Sequence, residues 1–135
     1  MCAVNKLASL PVVLLVMACG CGGGKYDLQR MEGTVTLTDG TPGRGLHVSF
    51  ECDAPLISAK AMTDESGHYR LGTLETGDGA PPGHYRVAVV EADVLDPDAV
   101  RPPRIHTKYA RFETSGLEFT VEDGTNTFDI RLDPP

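Results

Sequence analysis

Four histidines, His47, His68, His84 and His106, are the imidazole side chains of this 135-residue chain. Imidazoles from neighbouring strands can converge on zinc. The spacings contain neither His-x-His nor His-Glu-x-x-His, and three of the four fall on the water-facing phase of an alternating pattern, so no metal site and no cofactor is expected. No Ser, His and Asp stand at the separations of a nucleophilic triad. Asp93, Asp96 and Asp98 offer oxygen ligands for calcium, but Pro97 and the wide spacing do not match a loop that wraps the ion. Lys60 and Asn126 are the one pair suited to an isopeptide crosslink, which needs both in a dry core beside a protonated carboxylate. A turn-capping Asn126 is the better reading. The chain is expected not to be an enzyme.

Binding chemistry is more visible than catalysis. Between about residues 92 and 115 the charge is segregated, with the three acids first and then Arg101, Arg104, Lys108 and Arg111 interleaved with Tyr109 and Phe112. Connections longer than about 15 residues inside a small domain are usually functional or mobile. Arg101, Arg104, Lys108, Tyr109 and Arg111 are therefore the candidate binding residues, forming a cationic strip that suits an envelope protein, an acidic glycan or phospholipid headgroups. Salt bridging within the connection ranks ahead of binding, because exposed charges usually contribute little. The formal net charge is −7, and such a surface repels nucleic acid.

These candidates need a frame, and the frame reads as strands. Met31, Gly33, Val35 and Leu37 alternate with Glu32, Thr34, Thr36 and Thr38, the period of two of a strand with one dry face. Leu46, Val48, Phe50 and Cys52 continue the pattern after the Thr41-Pro42-Gly43 turn, which makes Cys52 a small buried apolar residue. A third strand is predicted over 59–63 and a returning one over 68–74, joined by Asp64-Glu65-Ser66-Gly67. Tyr85, Val87 and Val89 mark a fifth strand running to Glu91, and 117–121 and 126–132 are the last two, around Glu122-Asp123-Gly124-Thr125. Gly-His-Tyr-Arg occurs at 67–70 and at 83–86; it reads as shared strand-entry grammar with each tyrosine facing the core. Seven short strands without useful helical periodicity predict an all-β, seven-stranded antiparallel Greek-key β-sandwich.

The runs Gly33-Thr34-Val35-Thr36-Leu37-Thr38-Asp39-Gly40-Thr41-Pro42, Val48-Ser49-Phe50 and Thr63-Asp64-Glu65-Ser66-Gly67-His68-Tyr69 resemble the carboxypeptidase regulatory-like domain, a transthyretin-like (prealbumin-like) sandwich. Gly79-Ala80-Pro81-Pro82-Gly83-His84-Tyr85, Lys108-Tyr109 and Thr114-Ser115-Gly116-Leu117 resemble later motifs of a group of small bacterial lipoproteins of uncharacterised function. Ile105-His106-Thr107 departs from that pattern, where a proline is expected. The resemblance implies a fold and an anchoring mode, not an activity. A sandwich enzyme of the transthyretin family, the hydroxyisourate hydrolase, ends in Tyr-Arg-Gly-Ser, whereas this chain ends Arg131-Leu132-Asp133-Pro134-Pro135.

The N-terminal segment supplies an address. Lys6 precedes an apolar run from Leu7 to Ala18, too short for a membrane span of about 20 residues and interrupted by Pro11; it reads as an export signal. Leu15-Val16-Met17-Ala18-Cys19 resembles the lipobox of bacterial lipoproteins, in which the cysteine is acylated and becomes the mature N-terminus. Cys19 is the expected lipidation site, carrying palmitate-type chains, with Cys21 the runner-up. The division expected is a signal peptide over 1–18, a lipidated Gly-rich tether over 19–29 and a sandwich domain over 30–135. The function expected is a non-catalytic module fastened to the bacterial cell envelope by its N-terminal lipid, binding a protein or polymer there. A carbohydrate-binding module is the alternative, discouraged by the absence of Trp, and a metal-assisted hydrolase is the enzymatic outsider.

Overall fold

A computed structural model describes residues 27–53, 56–92, 98 and 102–135. The expected signal peptide, Cys19 and Cys21, Tyr26, Asp93, Asp96, Pro97 and Arg101 lie outside the described residues. Eight strands occur among the described ones: β1 (Met31–Leu37), β2 (Leu46–Asp53), β3 (Leu56–Met62), β4 (His68–Arg70), β5 (Gly83–Glu91), β6 (Leu117–Val121), β7 (Asn126–Thr127) and β8 (Ile130–Leu132), with a 3-10 turn at Thr107–Ala110. They form two facing sheets, one in the order β3-β2-β5-β6, the other with β1 flanked by β4 on one side and by β7 and β8 on the other. The fold is an all-β sandwich.

Inward residues of both sheets meet around Phe50, whose ring lies 6.4 Å from Tyr69, 6.0 Å from Tyr85 and 6.3 Å from Phe128. Such tilted and edge-on pairs add to the burial of large apolar surface. Both Gly-His-Tyr-Arg tyrosines are core residues: the Tyr85 hydroxyl donates to Pro81 O at 2.7 Å and that of Tyr69 to Phe128 O. Burial pushes the Tyr85 phenol up to about 12 and that of Tyr69 higher still. Cys52 is a free, buried thiol.

Two features depart from the alternating pattern. The C-terminal run expected as one antiparallel strand is two short ones, both parallel to β1, which makes that sheet mixed and the strand count eight instead of seven. The interruption has a local cause. Phe128 N donates to Glu32 O at 3.0 Å, but at Thr34 the Asp129 carboxylate, not a strand carbonyl, takes the N–H, also at 3.0 Å. The chain closes tightly there because Gly33 has no side chain; a Cβ at that position would sit 2.0 Å from Phe128 O. The second departure is the returning strand, which ends at Arg70 instead of Leu74. Beyond it Gly72 crosses to β3, exchanging 3.0 Å bonds with Lys60, and Asp78 gathers the N–H groups of Thr73, Leu74 and Glu75.

The turns follow their side-chain chemistry. Asp64 Oδ1 accepts from Ser66 N, Ser66 Oγ and His68 N, and Asp39 Oδ1 accepts from the Thr41 N–H and hydroxyl. The Ser66 hydroxyl first, then the His68 N–H, holds the Asp64 carboxyl below its ordinary value; Asp39 is lowered likewise by Thr41. Carboxyls depressed in the fold stabilise it above their unfolded values near 4 and cease to do so as pH falls through the lower native ones. The urea midpoint is therefore expected to fall between pH 5 and pH 2, and Asp64→Asn should make that decline shallower.

Candidate functional site

The structure gives most of the described part of the predicted strip partners within the fold. Beyond β6's reach, the upper half of β5 is flanked by the segment 102–115, whose 3-10 turn packs on it. Arg104 anchors the segment: its backbone N–H and Nε donate to the two Glu91 oxygens, each at 2.8 Å, and Nη2 donates to Arg44 O at 2.9 Å. Glu91 is buried at the end of β5, on the same phase as Tyr85, Val87 and Val89. Burying a carboxylate is tolerable only when it is paired and hydrogen-bonded, and Arg104 meets both conditions.

Lys108 lies 3.0 Å from Asp133 and 5.1 Å from the Tyr109 ring centroid. Lys108 foremost, then the Tyr109 hydroxyl, pulls the Asp133 carboxyl down. Tyr109 is 3% exposed, and its hydroxyl accepts from Asp133 N at 2.9 Å, so it belongs to the core and is no platform on the surface. His106 caps the turn through Lys108 N, and its own N–H donates to Asp133 O. Arg111 is exposed, and its carbonyl accepts from Thr114 N and Ser115 N. Thus Arg104, Lys108 and Tyr109 come together as a latch joining β5 of one sheet to the end of β8 in the other. A cleft of about 610 Å³ borders the latch between Arg44, Thr63, Glu65, Pro102 and Arg104.

The remaining candidates disperse. Asn126 clips its own turn, with Oδ1 accepting from Glu122 N at 2.9 Å and Nδ2 donating to Glu122 O at 2.8 Å. Lys60 stands exposed on the other sheet, so the two do not face one another. No three His, Cys, Asp or Glu side chains are grouped to hold a metal ion among the described residues. His68 lies 3.0 Å from Glu32, which Arg30 also holds at 2.7 Å.

His84 is the arrangement that sequence patterning missed. Its Nε2 lies 2.6 Å from Glu118 Oε1 and its Nδ1 3.0 Å from Thr120 Oγ1, an alignment of hydroxyl, imidazole and carboxylate across β5 and β6. Cross-strand register explains it, since Thr120 is directly opposite His84 and Glu118 is diagonal. The His84 and Glu118 side chains are 58% and 62% exposed. Hydroxyl activation and oxyanion stabilisation draw their strength from water-excluded surroundings, which this outward sheet face does not provide.

No protein-family model matches the chain, and no curated protein sequence does. Among solved structures it is similar to a DUF3823 family protein from Parabacteroides merdae, with a TM-score of 0.45 and 15% identity over 81% of this chain and 47% of that one. The chain spans about half the length of that protein.

Proposed function

We propose that the chain is an exported, lipid-anchored and non-catalytic module of the carboxypeptidase regulatory-like kind, which binds a protein at the bacterial cell envelope. The observation that carries this reading is Leu15-Val16-Met17-Ala18-Cys19 at the end of a twelve-residue apolar run. Pairing of the folded part begins with the Gln29 to Ala80 bridge, so the tether after Cys19 is short. At no more than about 3.6 Å per residue it keeps the sandwich near the membrane surface. The latch counts against the strip as the binding surface, because Arg104, Lys108 and Tyr109 are engaged by Glu91 and Asp133.

The test is metabolic labelling with palmitate in a bacterial host expressing the full chain. Wild type and Cys21→Ser should incorporate label and fractionate with membranes, while Cys19→Ser should lose at least nine-tenths of the label and keep residues 1–18. Absence of label from wild type would overturn the reading. Label lost in Cys21→Ser and kept in Cys19→Ser would move the anchor to Cys21.

A further inference from the structure

We propose that the free edge of β6 is a self-association surface, on which a second copy of this chain pairs its own β6 antiparallel to form a two-fold dimer. The sheet β3-β2-β5-β6 has two ends. At one, Lys60 of β3 exchanges both backbone bonds with Gly72, which ties that edge to the chain leading out of β4. At the other, no strand pairs with β6 beyond β5 among the described residues. The rings of Phe119 and Phe128, stacked 4.8 Å apart, stand between β6 and the facing sheet, so side chains and not backbone occupy that gap.

The groups that point outward follow from the ladder. Lys60 bonds to Gly72, so its neighbours Ala59 and Ala61 are the residues bonded to β2, opposite Phe50 and Val48. Bonded and non-bonded pairs alternate along antiparallel strands. Carried across the sheet through Ser49 with Ala88 and then Tyr85 with Phe119, the alternation directs the N–H and C=O groups of Glu118 and Thr120 away from β5. Both residues are exposed. The open edge stops at Glu122, whose N–H and C=O are taken by the Asn126 side chain.

Register selects the occupant. With the two-fold axis at Phe119, Glu118 of each copy lies opposite Thr120 of the other, and the open backbone groups of all four residues are paired. An axis at Glu118 would set two carboxylates directly opposite one another, which is destabilising, and an axis at Thr120 would bring Glu118 against the already engaged Glu122. On β5, His84 stands opposite Thr120 and Arg86 opposite Glu118. Each row across the joined sheets then reads His84, Thr120, and Glu118 and Arg86 of the second copy, so every acid lies between a cation and a neutral hydroxyl. On the inner face Phe119 meets its counterpart as a non-bonded pair, the kind whose side chains are closest. Leu117, Phe119 and Phe128 are only partly buried, and the second copy covers them while extending the aromatic stack. A strand of unrelated sequence satisfies the same backbone groups but lacks this self-matching set of side chains. The inference goes beyond the envelope-anchoring reading and does not depend on the lipid.

The test is disulfide trapping of the full chain, purified in excess detergent micelles, in a Cys2→Ser, Cys21→Ser background where Cys52 is buried. Opposite residues of a non-bonded pair have Cα atoms about 4.5 Å apart, within reach of a disulfide. Phe119→Cys should therefore give at least fivefold more crosslinked dimer than Ser58→Cys, an exposed site on the opposite edge. Adding Thr120→Pro, which removes one edge N–H and is tolerated on edge strands, should cut that dimer at least tenfold, with folding checked by circular dichroism. The unsubstituted chain should sediment as a dimer that dissociates on dilution, a measurement that stands even where the proline variant does not fold. Equal crosslinking at the two positions, a dimer that survives Thr120→Pro in the folded variant, or a monomer by sedimentation would overturn the proposal; failed palmitate labelling would leave it standing.

Discussion

Gly33→Ala is expected to lose about 3 kcal/mol of stability, roughly a hundredfold in the folding equilibrium and the upper part of what overpacking usually costs. The added methyl would meet Phe128 O at 2.0 Å and the Tyr69 hydroxyl at 2.9 Å. Most overpacked sites find relief in a side-chain rotation, but here the nearest atoms are backbone. That carbonyl also accepts the buried Tyr69 hydroxyl, while Phe128 N is bonded to Glu32 O. Moving Phe128 away from β1 therefore strains two hydrogen bonds and parts β7 from β1. Gly40→Ala is the control: its φ of 92° is unfavourable for alanine, but nothing lies within 4 Å of the added carbon, so only the backbone preference of about 1 kcal/mol is at stake. Urea denaturation of the two variants separates these effects. A Gly33→Ala loss no larger than that of Gly40→Ala would contradict the close approach of Phe128.

The same residue shows where alternation stops being informative. Met31, Gly33 and Val35 were legible as an inward face because the period of two reports which side of a strand is dry. It does not report the direction of the partner strand. Asn126, Phe128, Ile130 and Leu132 keep that period through the interruption between β7 and β8, so neither the break nor the parallel pairing with β1 could be read. The Asp64 turn was legible because the carboxylate acts on N–H groups two and four residues away. Leu71, by contrast, is fully buried beyond the end of β4, which lengthened the predicted strand.

At the candidate site the residue types were visible and their partners were not. For Arg104 and Lys108 salt bridging within the connection ranked ahead of binding, but their acids, Glu91 and Asp133, lie outside it, 13 and 25 residues away in sequence. One signal was available. Glu91 continues the inward phase of Tyr85, Val87 and Val89, and a carboxylate on a dry face demands a cation. For Asp133, beyond the last strand, no pattern existed. Tyr109 and Tyr85 both carry their hydroxyls to backbone partners, but only the second sits in a recognisable strand, so only its burial was foreseen.

The demand that Glu91 makes on Arg104 leads to the second large effect. Removing one member of a buried ion pair typically costs 3–5 kcal/mol, because the other charge remains desolvated. Arg104 retains 37% side-chain exposure against 10% for Glu91, so water recovers part of that cost when the acid is lost, and Glu91→Ala is expected to destabilise by about 2–3 kcal/mol. Lys108→Ala, which breaks a pair exposed on both sides, should cost far less, because water screens such pairs. The Glu91 change should also release the segment 102–115 locally, since the acid holds both the backbone and the side chain of Arg104. Limited proteolysis in that segment is then expected to accelerate at least tenfold in Glu91→Ala and far less in Lys108→Ala. A double-mutant cycle decides whether pairing is the cause: Arg104→Met should be damaging alone but should add less than its full cost to Glu91→Leu, because the apolar pair leaves no charge stranded. Strict additivity would mean that Glu91 stabilises β5 by some route other than Arg104, and the latch would lose its mechanism.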